Sequence, residues 1–310
     1  MSKIAVIGSL NMDLVIKIPY APTIGETIVG HEFETIPGGK GANQAAACAR
    51  LGAETTIIGR VGRDEFGASL MDSMQGFGVD TSGLIIDANA RTGIAMIMVA
   101  AGDNMIAISE GANANVSIAD IDAAAHIIDT ADIILLQFEI PMETVEYIIK
   151  KYKGTKKIFL DPAPFKQVKD ELLNGLYTIL PNENEAEKIC GISLDTTEDI
   201  FKTLEILKSK GVKYPIITLG SKGVAYFDGC EYNYMEACPV NAVDTTAAGD
   251  TFAGAFASAI LKGDDIKAAV TFARAAAALA TCKYGAQTSI PAKTDVDKFM
   301  NDNLGGNTSS

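Results

Sequence analysis

The chain has 310 residues, 48% of them hydrophobic, enough to bury the core of one large α/β domain or of two smaller ones. Asp and Glu number 39 against 26 Lys and Arg, and the formal net charge of -13 disfavours nucleic acid and anionic membranes as partners. The five cysteines form no CxxC pair and there are only two histidines, so no zinc-ligand pattern exists and a reducing compartment is favoured. Because we find neither a signal core nor a long apolar run, we expect a cytoplasmic protein.

The first third of the chain combines a buried strand, a helix of small residues and two ribbons. Residues 4–9, IAVIGS, form an apolar run that ends in a polar turn, as buried parallel strands do. Residues 38–52, GGKGANQAAACARLG, predict a glycine-rich loop that opens a helix. The patterns of 14–37 and 91–114 lack a helical period and predict antiparallel ribbons, which we assign to one small sheet inserted into the main domain.

From residue 117 onwards the pattern alternates helix with strand, which predicts a parallel sheet covered by helices. Each predicted strand delivers a polar residue at its carboxyl end. Because ligands bind outside the carboxyl ends of the strands in open α/β sheets, we expect these residues to converge on one cleft. They are Asn11 and Asp13 after the first strand, and then Glu139, Asp161, Asn182 and Ser221.

Residues 244–261, DTTAAGDTFAGAFASAIL, are the strongest candidate for the reaction centre. A small, polar beginning turns into a helical pattern, so a loop leads into a helix N-terminus. The backbone amides of Ala247, Ala248 and Gly249, together with the helix dipole, favour a negatively charged ligand there. Asp250 lies at the mouth of this loop, where it either accepts a proton in a reaction or simply caps the helix. Taken alone, the stretch leaves both roles open.

Two familiar nucleotide motifs are absent from the sequence. The GGKG run is no Walker A loop, and no GxGxxG follows the first strand, which disfavours a dinucleotide-dependent dehydrogenase. Instead, GGKGANQAAACARLG and DTTAAGDTFAGAF, in this order, resemble the two signature stretches of the ribokinase-like (PfkB) carbohydrate kinases. The resemblance runs from GSLNMD near the start to GAQTSIP near the end.

This resemblance implies a ribokinase-like α/β fold, with a mostly parallel sheet covered by helices and an inserted small β-sheet lid. We expect one domain over residues 1–305, with lid segments 13–39 and 91–112 and a tail at 306–310. The implied activity is ATP-dependent phosphorylation of D-ribose at O5, and AAGD, NMD and GAQ favour this acceptor. Other kinases of the family, acting on deoxyribose, fructose, a sugar acid or a nucleoside, and a non-catalytic sugar-binding homologue, are the alternatives.

The resemblance also implies roles for single residues, with Asp250 as the catalytic base and the amides of Ala247, Ala248 and Gly249 as the anion hole. The implied sugar-binding positions are Asn11, Asp13, Gly39, Lys40, Asn43, Glu139 and Asp250. The implied ATP-binding positions are Asn182, Glu185, Thr218, Gly220, Ser221, Gly223, Gly249 and Arg274, and Arg274 stands where the family often carries His or Asn.

Two metal ions and a partner are implied as well. Mg²⁺ accompanies ATP and is linked indirectly to Asn182 and Glu185. A K⁺ ion is expected at Asp244, Thr246, Ala280, Lys283, Gly285 and Ser289, several of which would contribute main-chain carbonyls. Because exposed strands of a small sheet need covering, we expect a homodimer that pairs through the lid.

Overall fold

The computed structural model describes residues 3–100 and 103–303, so the predicted tail at 306–310 lies outside the described residues. The strands are β1 (Lys3–Ile7), β2 (Asn11–Lys17), β3 (His31–Gly38), β4 (Glu54–Gly62), β5 (Asp80–Asp87), β6 (Gly93–Ala100), β7 (Asp103–Ser109), β8 (Ile133–Leu136), β9 (Lys157–Leu160), β10 (Thr178–Ile179), β11 (Ile216–Thr218), β12 (Gly223–Phe227) and β13 (Tyr232–Glu236). The α-helices are α1 (Lys40–Arg50), α2 (Glu65–Gly76), α3 (Ile118–Ala123), α4 (Ala125–Ile128), α5 (Met142–Tyr152), α6 (Asp170–Leu173), α7 (Glu183–Cys190), α8 (Thr197–Ser209), α9 (Ala248–Lys262), α10 (Ile266–Ala280) and α11 (Lys293–Asn303). Across these described ranges, none of the helices has the length and apolar character needed to cross a bilayer.

Six parallel strands form the central sheet, in the order β10-β9-β8-β1-β4-β5. β1 lies inside the sheet, and its side chains alternate between two hydrophobic cores. Ile4 and Val6 join the core that contains residues of α1, α9 and α10, whereas Ala5 and Ile7 join the core that contains residues of α5 and α8. The predicted parallel sheet covered by helices is confirmed.

A second sheet, in the order β3-β2-β6-β7, contains the predicted ribbons. β2 pairs antiparallel with β3, β6 pairs antiparallel with β7, and β2 and β6 join the two ribbons in parallel. Asp13 pairs in register with Ala95, which pairs in turn with Ile108. Directly opposed residues share one face of a sheet, so Asp13 and Ile108 lie on the same side. The small sheet thus presents a carboxylate and an apolar side chain together.

Two strands differ from the sequence prediction. β5, which the sequence analysis did not anticipate, extends the central sheet beyond β4; its mixture of polar and apolar residues suits a half-exposed edge strand. β11, expected in the parallel sheet, belongs instead to an antiparallel sheet with β12 and β13. Its link to the central sheet is a parallel bridge between Asn182 and Thr218. Pro181 follows β10 and has no backbone N–H, so it cannot donate a hydrogen bond that would extend the pairing of β10 with its neighbours.

Candidate active site

Glycines allow the start of α1 to lie against the segment that follows β1. Gly39 has a φ of 91°, and a Cβ there would lie 2.6 Å from the backbone nitrogen of Asn11. A Cβ on Gly41 would lie 2.6 Å from the carbonyl carbon of Gly8. Neither position accepts a side chain without moving backbone atoms. The GGKG run therefore brings Lys40 and the first turn of α1 to the carboxyl edge of the central sheet.

α9 begins at the second glycine-containing loop. Ala247 has a left-handed backbone with a φ of 58°, and the Ala248 N–H donates to the carbonyl oxygen of Thr245 at 3.2 Å. Gly249 is exposed, and a Cβ built on it would meet no heavy atom within 4 Å. Asp250, one residue further along, is only 6% exposed. The loop therefore presents backbone to an open space while Asp250 points into the protein.

Close packing of α1 against α9 sets the separation of these two segments. A Cβ on Gly254 would lie 2.9 Å from the carbonyl oxygen of Gln44 and 3.0 Å from the nitrogen of Cys48. Ser258 adds a hydrogen bond from its Oγ to the carbonyl oxygen of Cys48 at 3.2 Å. Small residues along this contact permit the short approach of the two helices.

Three side chains of α1 meet two buried carboxylates. Lys40, Asn43 and Gln44 share one helix face, because residues three and four positions apart are neighbours. Lys40 Nζ lies 3.8 Å from Asp161 Oδ2 and 3.9 Å from Asp250 Oδ1. Asn43 Nδ2 donates to Asp250 Oδ2 at 3.0 Å. Gln44 Nε2 donates to Asp161 Oδ2 at 2.7 Å and to Asp250 Oδ1 at 3.0 Å.

A cavity of about 340 Å³ lies between the small sheet and the central sheet. Its size suits a small polar ligand. Glu139 is held there by the Ser9 hydroxyl at 2.5 Å and by the Lys40 backbone N–H at 3.1 Å. Asn113 Nδ2 donates to Asn11 Oδ1 at 2.8 Å and so orients that amide. The cavity is lined by Asn11, Ile108, Glu110, Asn113, Phe138, Glu139 and Pro164.

Burial and like charge perturb the acids around this cavity. Burial, together with the nearby charges of Glu139 and Asp250, raises the pKa of Asp13 to about 7. Burial also raises the pKa of Asp161 to about 7, against the lowering effect of Lys40. For Lys40, burial opposes the charged form, but the surrounding carboxylates, with Asp161 foremost, raise its pKa overall. The cleft therefore holds one ammonium among several crowded carboxyl groups.

The predicted nucleotide side begins at a helix cap. Asn182 Oδ1 accepts from the Glu185 N–H at 3.0 Å, and Glu185 Oε2 accepts from the Asn182 N–H at 2.9 Å, so the two residues form a capping box. Glu185 is only 8% exposed, and its charge acts on both Lys40 and Asp161. The segment that contains Thr218, Gly220, Ser221 and Gly223 lies beside this cap through the Asn182 bridge and leads into β12.

Asp244 connects the loop before α9 to the loop after α10. Its Oδ1 accepts from the Thr246 N–H at 2.9 Å and from the Thr246 hydroxyl at 2.6 Å, and its Oδ2 accepts from the Gly285 N–H at 3.0 Å. Burial opposes its charge, but these hydrogen bonds lower the pKa of Asp244 overall. The Ala280 carbonyl accepts from the Lys283 N–H at 3.3 Å, and Ser289 is buried nearby in sequence.

No group of three or more His, Cys, Asp or Glu side chains is arranged to hold a metal ion within residues 3–100 and 103–303. Mg²⁺ typically keeps several waters and binds through one or two carboxylates together with substrate phosphates. A large monovalent ion depends on main-chain carbonyls instead. The carboxylate of Glu185 suits the first kind of site, and the second kind would lie where the carboxylate of Asp244 joins two loops.

The structure brings most of the predicted site residues together, but not all of them. Lys40, Asn43 and Asp250 are in direct contact or close to it, and Asp13 and Glu139 border the same cleft. Ser221, expected in the cleft, is exposed on the segment before β12. Arg274 Nη1 donates to the carbonyl oxygen of Glu236 at 2.6 Å, at the end of β13.

Four residues of the site were not predicted from the sequence: Ser9, Gln44, Asn113 and Gln137. Asp161 was expected in the cleft as a strand-end residue, but no role was predicted for it. Gln44 had a usable signal, since it lies four positions after Lys40 on the same helix face. The others act through partners distant in sequence, which no local pattern reveals.

Residues 1–293 match the pfkB family of carbohydrate kinases. The chain belongs to this family. Ribokinase of Bacillus subtilis is 39% identical to this pfkB family kinase over 97% of the chain and 100% of the relative. A deoxyribokinase of Salmonella typhi is 34% identical over 96% of the chain and 98% of the relative. The solved structure of Arabidopsis thaliana ribokinase complexed with ribose and ATP is 35% identical, with a TM-score of 0.90 over 97% of this chain and 99% of that one.

As a pfkB family carbohydrate kinase, the chain is a phosphotransferase that acts on a sugar. The structural likeness also agrees with the predicted ribokinase-like fold, including the separate small sheet. Family membership therefore makes transfer of a phosphoryl group the chemistry that the cleft has to perform.

Proposed function

We propose that this chain transfers the γ-phosphate of ATP to O5 of D-ribose, which yields D-ribose 5-phosphate and ADP. The observation that carries the proposal is the buried carboxylate of Asp250, fixed at the first turn of α9 beside an exposed anion-binding loop. Full-length similarity to ribokinases, one of them solved with ribose and ATP, supports this choice of substrates.

Asp250 serves as the general base in this proposal. The sugar's primary hydroxyl oxygen attacks the γ-phosphorus while the bond to the bridging oxygen of ADP breaks, and the hydroxyl proton passes to Asp250. Asn43 and Gln44 hold both carboxylate oxygens by hydrogen bonds of 3.0 Å. A carboxylate is a weak base for an alcohol, so the proton moves late, together with formation of the new bond.

Charge on the transferred phosphoryl group is balanced by the backbone of Ala247, Ala248 and Gly249. The Ala248 N–H donates to the carbonyl oxygen of Thr245 at 3.2 Å, a long hydrogen bond that an anion with better geometry would displace. The positive end of the α9 dipole acts in the same direction. Such donors are effective because positioning and charge stabilisation account for most of the catalysis of phosphoryl transfer.

The sugar hydroxyls are bound on the small-sheet side of the cleft. Asn11, Asp13 and Glu139 supply acceptors, and Lys40 and Asn43 supply donors; Gly39 contributes by letting the backbone come close. A sugar hydroxyl that donates to Asp13 favours the charged form of this carboxylate, which burial disfavours. A site built from such groups discriminates against analogues that lack one hydroxyl.

ATP is placed along the segment 218–223 and the N-terminus of α7. Thr218, Gly220, Ser221 and Gly223 follow the strand beside the Asn182 cap, and Arg274 reaches the end of β13 from α10. Mg²⁺ would be held chiefly by the nucleotide phosphates and indirectly by Asn182 and Glu185, and it would neutralise developing negative charge. Gly249 is the proposed ATP-binding residue on the phosphate side of the site.

A K⁺ ion is proposed between the loops that Asp244 connects, with Thr246, Ala280, Lys283, Gly285 and Ser289 as the surrounding residues. The ion would stabilise the loop that carries the anion-binding amides. Activity measured in K⁺ should exceed activity in an equal concentration of tetramethylammonium, and Asp244→Asn should reduce that difference. Equal rates in both salts for the unaltered protein would contradict a K⁺ site.

We assign the lid role to segments 13–39 and 91–112, within a single domain. Closure over the sugar excludes water that would otherwise accept the phosphate. Among the exposed apolar side chains of the small sheet, Met96 pairs with Leu14 and so lies on the face opposite Asp13, which a second copy of the chain would cover. Light scattering after gel filtration should report a homodimer that Met96→Asp disrupts, while Ile118→Asp on α3 leaves it intact. A monomer at micromolar concentration would contradict this pairing.

The five cysteines are all free thiols, and one of them, Cys230, is exposed, which supports a reducing, cytoplasmic setting.

The identity of the phosphate acceptor is tested by measuring ADP release from MgATP with ribose, 2-deoxyribose, fructose and adenosine. Ribose should give the highest kcat/KM. Preference for 2-deoxyribose would follow the deoxyribokinase relative instead, and binding of ribose without turnover would support a non-catalytic homologue.

A further inference from the structure

The side-chain amide of Gln44 uses both of its ends inside the cleft. Its nitrogen donates one hydrogen bond to Asp161 at 2.7 Å and one to Asp250 at 3.0 Å. Its oxygen accepts from Gln137 Nε2 at 2.5 Å. The side chain is fully buried, with 0% exposure. An amide bonded on three sides in a dry environment has little freedom to move.

The two carboxylates and Gln137 together determine which end of the Gln44 amide faces the acids. If the Gln44 amide were rotated by half a turn, its oxygen would face two carboxylates and its nitrogen would face the donating nitrogen of Gln137. Both contacts would be repulsive. Gln137 Oε1 is itself buried without a partner among the described residues, and Gly8 lies so close that a Cβ there would clash with it. The close approach of Gly8 leaves the Gln137 side chain little room to move.

Resting on the proposed kinase reaction, we propose that Gln44, oriented by Gln137, is a positioning residue for phosphoryl transfer. Gln44 holds the carboxylate of the proposed base Asp250 beside Asp161. Gln44 touches the base rather than the sugar or the phosphate. Its role is to join two neighbouring carboxylates through one neutral group that donates a hydrogen bond to each.

The charges around Asp161 and Asp250 explain why a neutral group that donates a hydrogen bond to each of them is important. Lys40 from α1 lies 3.8 Å from Asp161 and 3.9 Å from Asp250, and it is the cation close to both. Further carboxylates face the group from other elements: Asp13 on β2, Glu139 after β8 and Glu185 on α7. Burial raises the pKa of Asp161 to about 7, and the Gln44 hydrogen bond acts against that rise. Without that hydrogen bond, protonation of Asp161 would begin at higher pH.

The test compares Gln44→Met and Gln137→Met with Ser258→Ala, which removes a buried hydrogen bond between α1 and α9 away from the cleft. Gln44→Met should lower kcat about 10- to 100-fold, because charge-assisted hydrogen bonds to the base are lost. The KM for ATP should change less than about twofold. The acid limb of the kcat/KM profile should move up by about one pH unit. Gln137→Met should also lower kcat and move the acid limb upwards, each by a smaller amount. Ser258→Ala should change neither kcat nor the acid limb.

A second measurement separates this inference from the proposed reaction. Aspartate labelled with ¹³C at Cγ allows the Asp161 carboxyl to be titrated by NMR in the sugar-free protein, with Asp161→Asn as the assignment control. Its midpoint should rise in Gln44→Met and in Gln137→Met but not in Ser258→Ala. Unchanged midpoints and an unchanged acid limb would overturn the inference. A wild-type protein that does not phosphorylate ribose would refute the proposed reaction, while the titration would still decide the role of Gln44. If Gln44→Met does not fold, Gln137→Met decides alone.

Discussion

Replacing Asp250 by Asn removes the proposed base while keeping the size of the side chain. Loss of a general base costs about 10²- to 10⁴-fold in rate. The local geometry adds a second effect, because both carboxylate oxygens accept amide donors at 3.0 Å, one from Asn43 and one from Gln44. An Asn amide supplies one oxygen and one nitrogen, so one of those donors is left facing another donor. We therefore expect kcat to fall about 10³-fold and the free energy of unfolding to fall by about 1–3 kcal/mol.

The assay couples ADP release to NADH oxidation with saturating MgATP and ribose, and it subtracts ADP released without sugar. Asp264→Asn, an exposed acid just beyond the same helix, is the matched control and should keep wild-type kcat and stability. Thermal unfolding of both variants shows whether the activity loss exceeds what unfolding explains. A kcat for Asp250→Asn within about tenfold of wild type would refute the assignment of Asp250 as the base.

Two further substitutions follow from the same geometry. Gly39→Ala should lower the free energy of unfolding by about 2 kcal/mol or more, because the backbone is left-handed and the new Cβ would lie 2.6 Å from the Asn11 nitrogen. The control is Gly76→Ala, in a helix, where a new Cβ would meet no atom within 4 Å. Chemical denaturation should show that Gly76→Ala is neutral or stabilising. Asp13 has a pKa raised to about 7, so its contribution to stability is full below about pH 4 and is lost as the pH rises through 7. Asp13→Asn should therefore raise the melting temperature of the sugar-free protein at pH 8 by about 2 °C, with a gain that shrinks as the pH falls. A constant gain from pH 4 to pH 8 would contradict this reasoning.

The central sheet was predictable because its strands are short apolar runs that end at polar residues. β1 and β8 are buried on both faces, and burial of that kind leaves a continuous hydrophobic pattern. β5 escaped prediction because an edge strand covered on one side mixes polar with apolar residues. β11 was assigned to the wrong sheet because its apolar run does not distinguish parallel from antiparallel neighbours.

For the site, the sequence pointed to Lys40, Asn43 and Asp250 through two motifs, and the structure places them in contact or close to it. No sequence pattern indicated how the carboxylate of Asp250 is held. Gln44 and Gln137 are 93 positions apart, and Gln44 and Asp250 are 206 apart. Hydrogen bonds over such separations depend on the packing of α1 against α9 and on the sheet beneath them, neither of which follows from periodicity.

The contact between α1 and α9 also has a consequence for protein synthesis. α1 is synthesised early, whereas Gly254 and Ser258, which its small residues contact, are synthesised near the end of the chain. A nascent chain that stops before α9 carries Lys40, Asn43 and Gln44 but lacks Asp250, the proposed base. We therefore expect truncated products to transfer no phosphate, so that kinase activity would mark chains whose synthesis has passed α9.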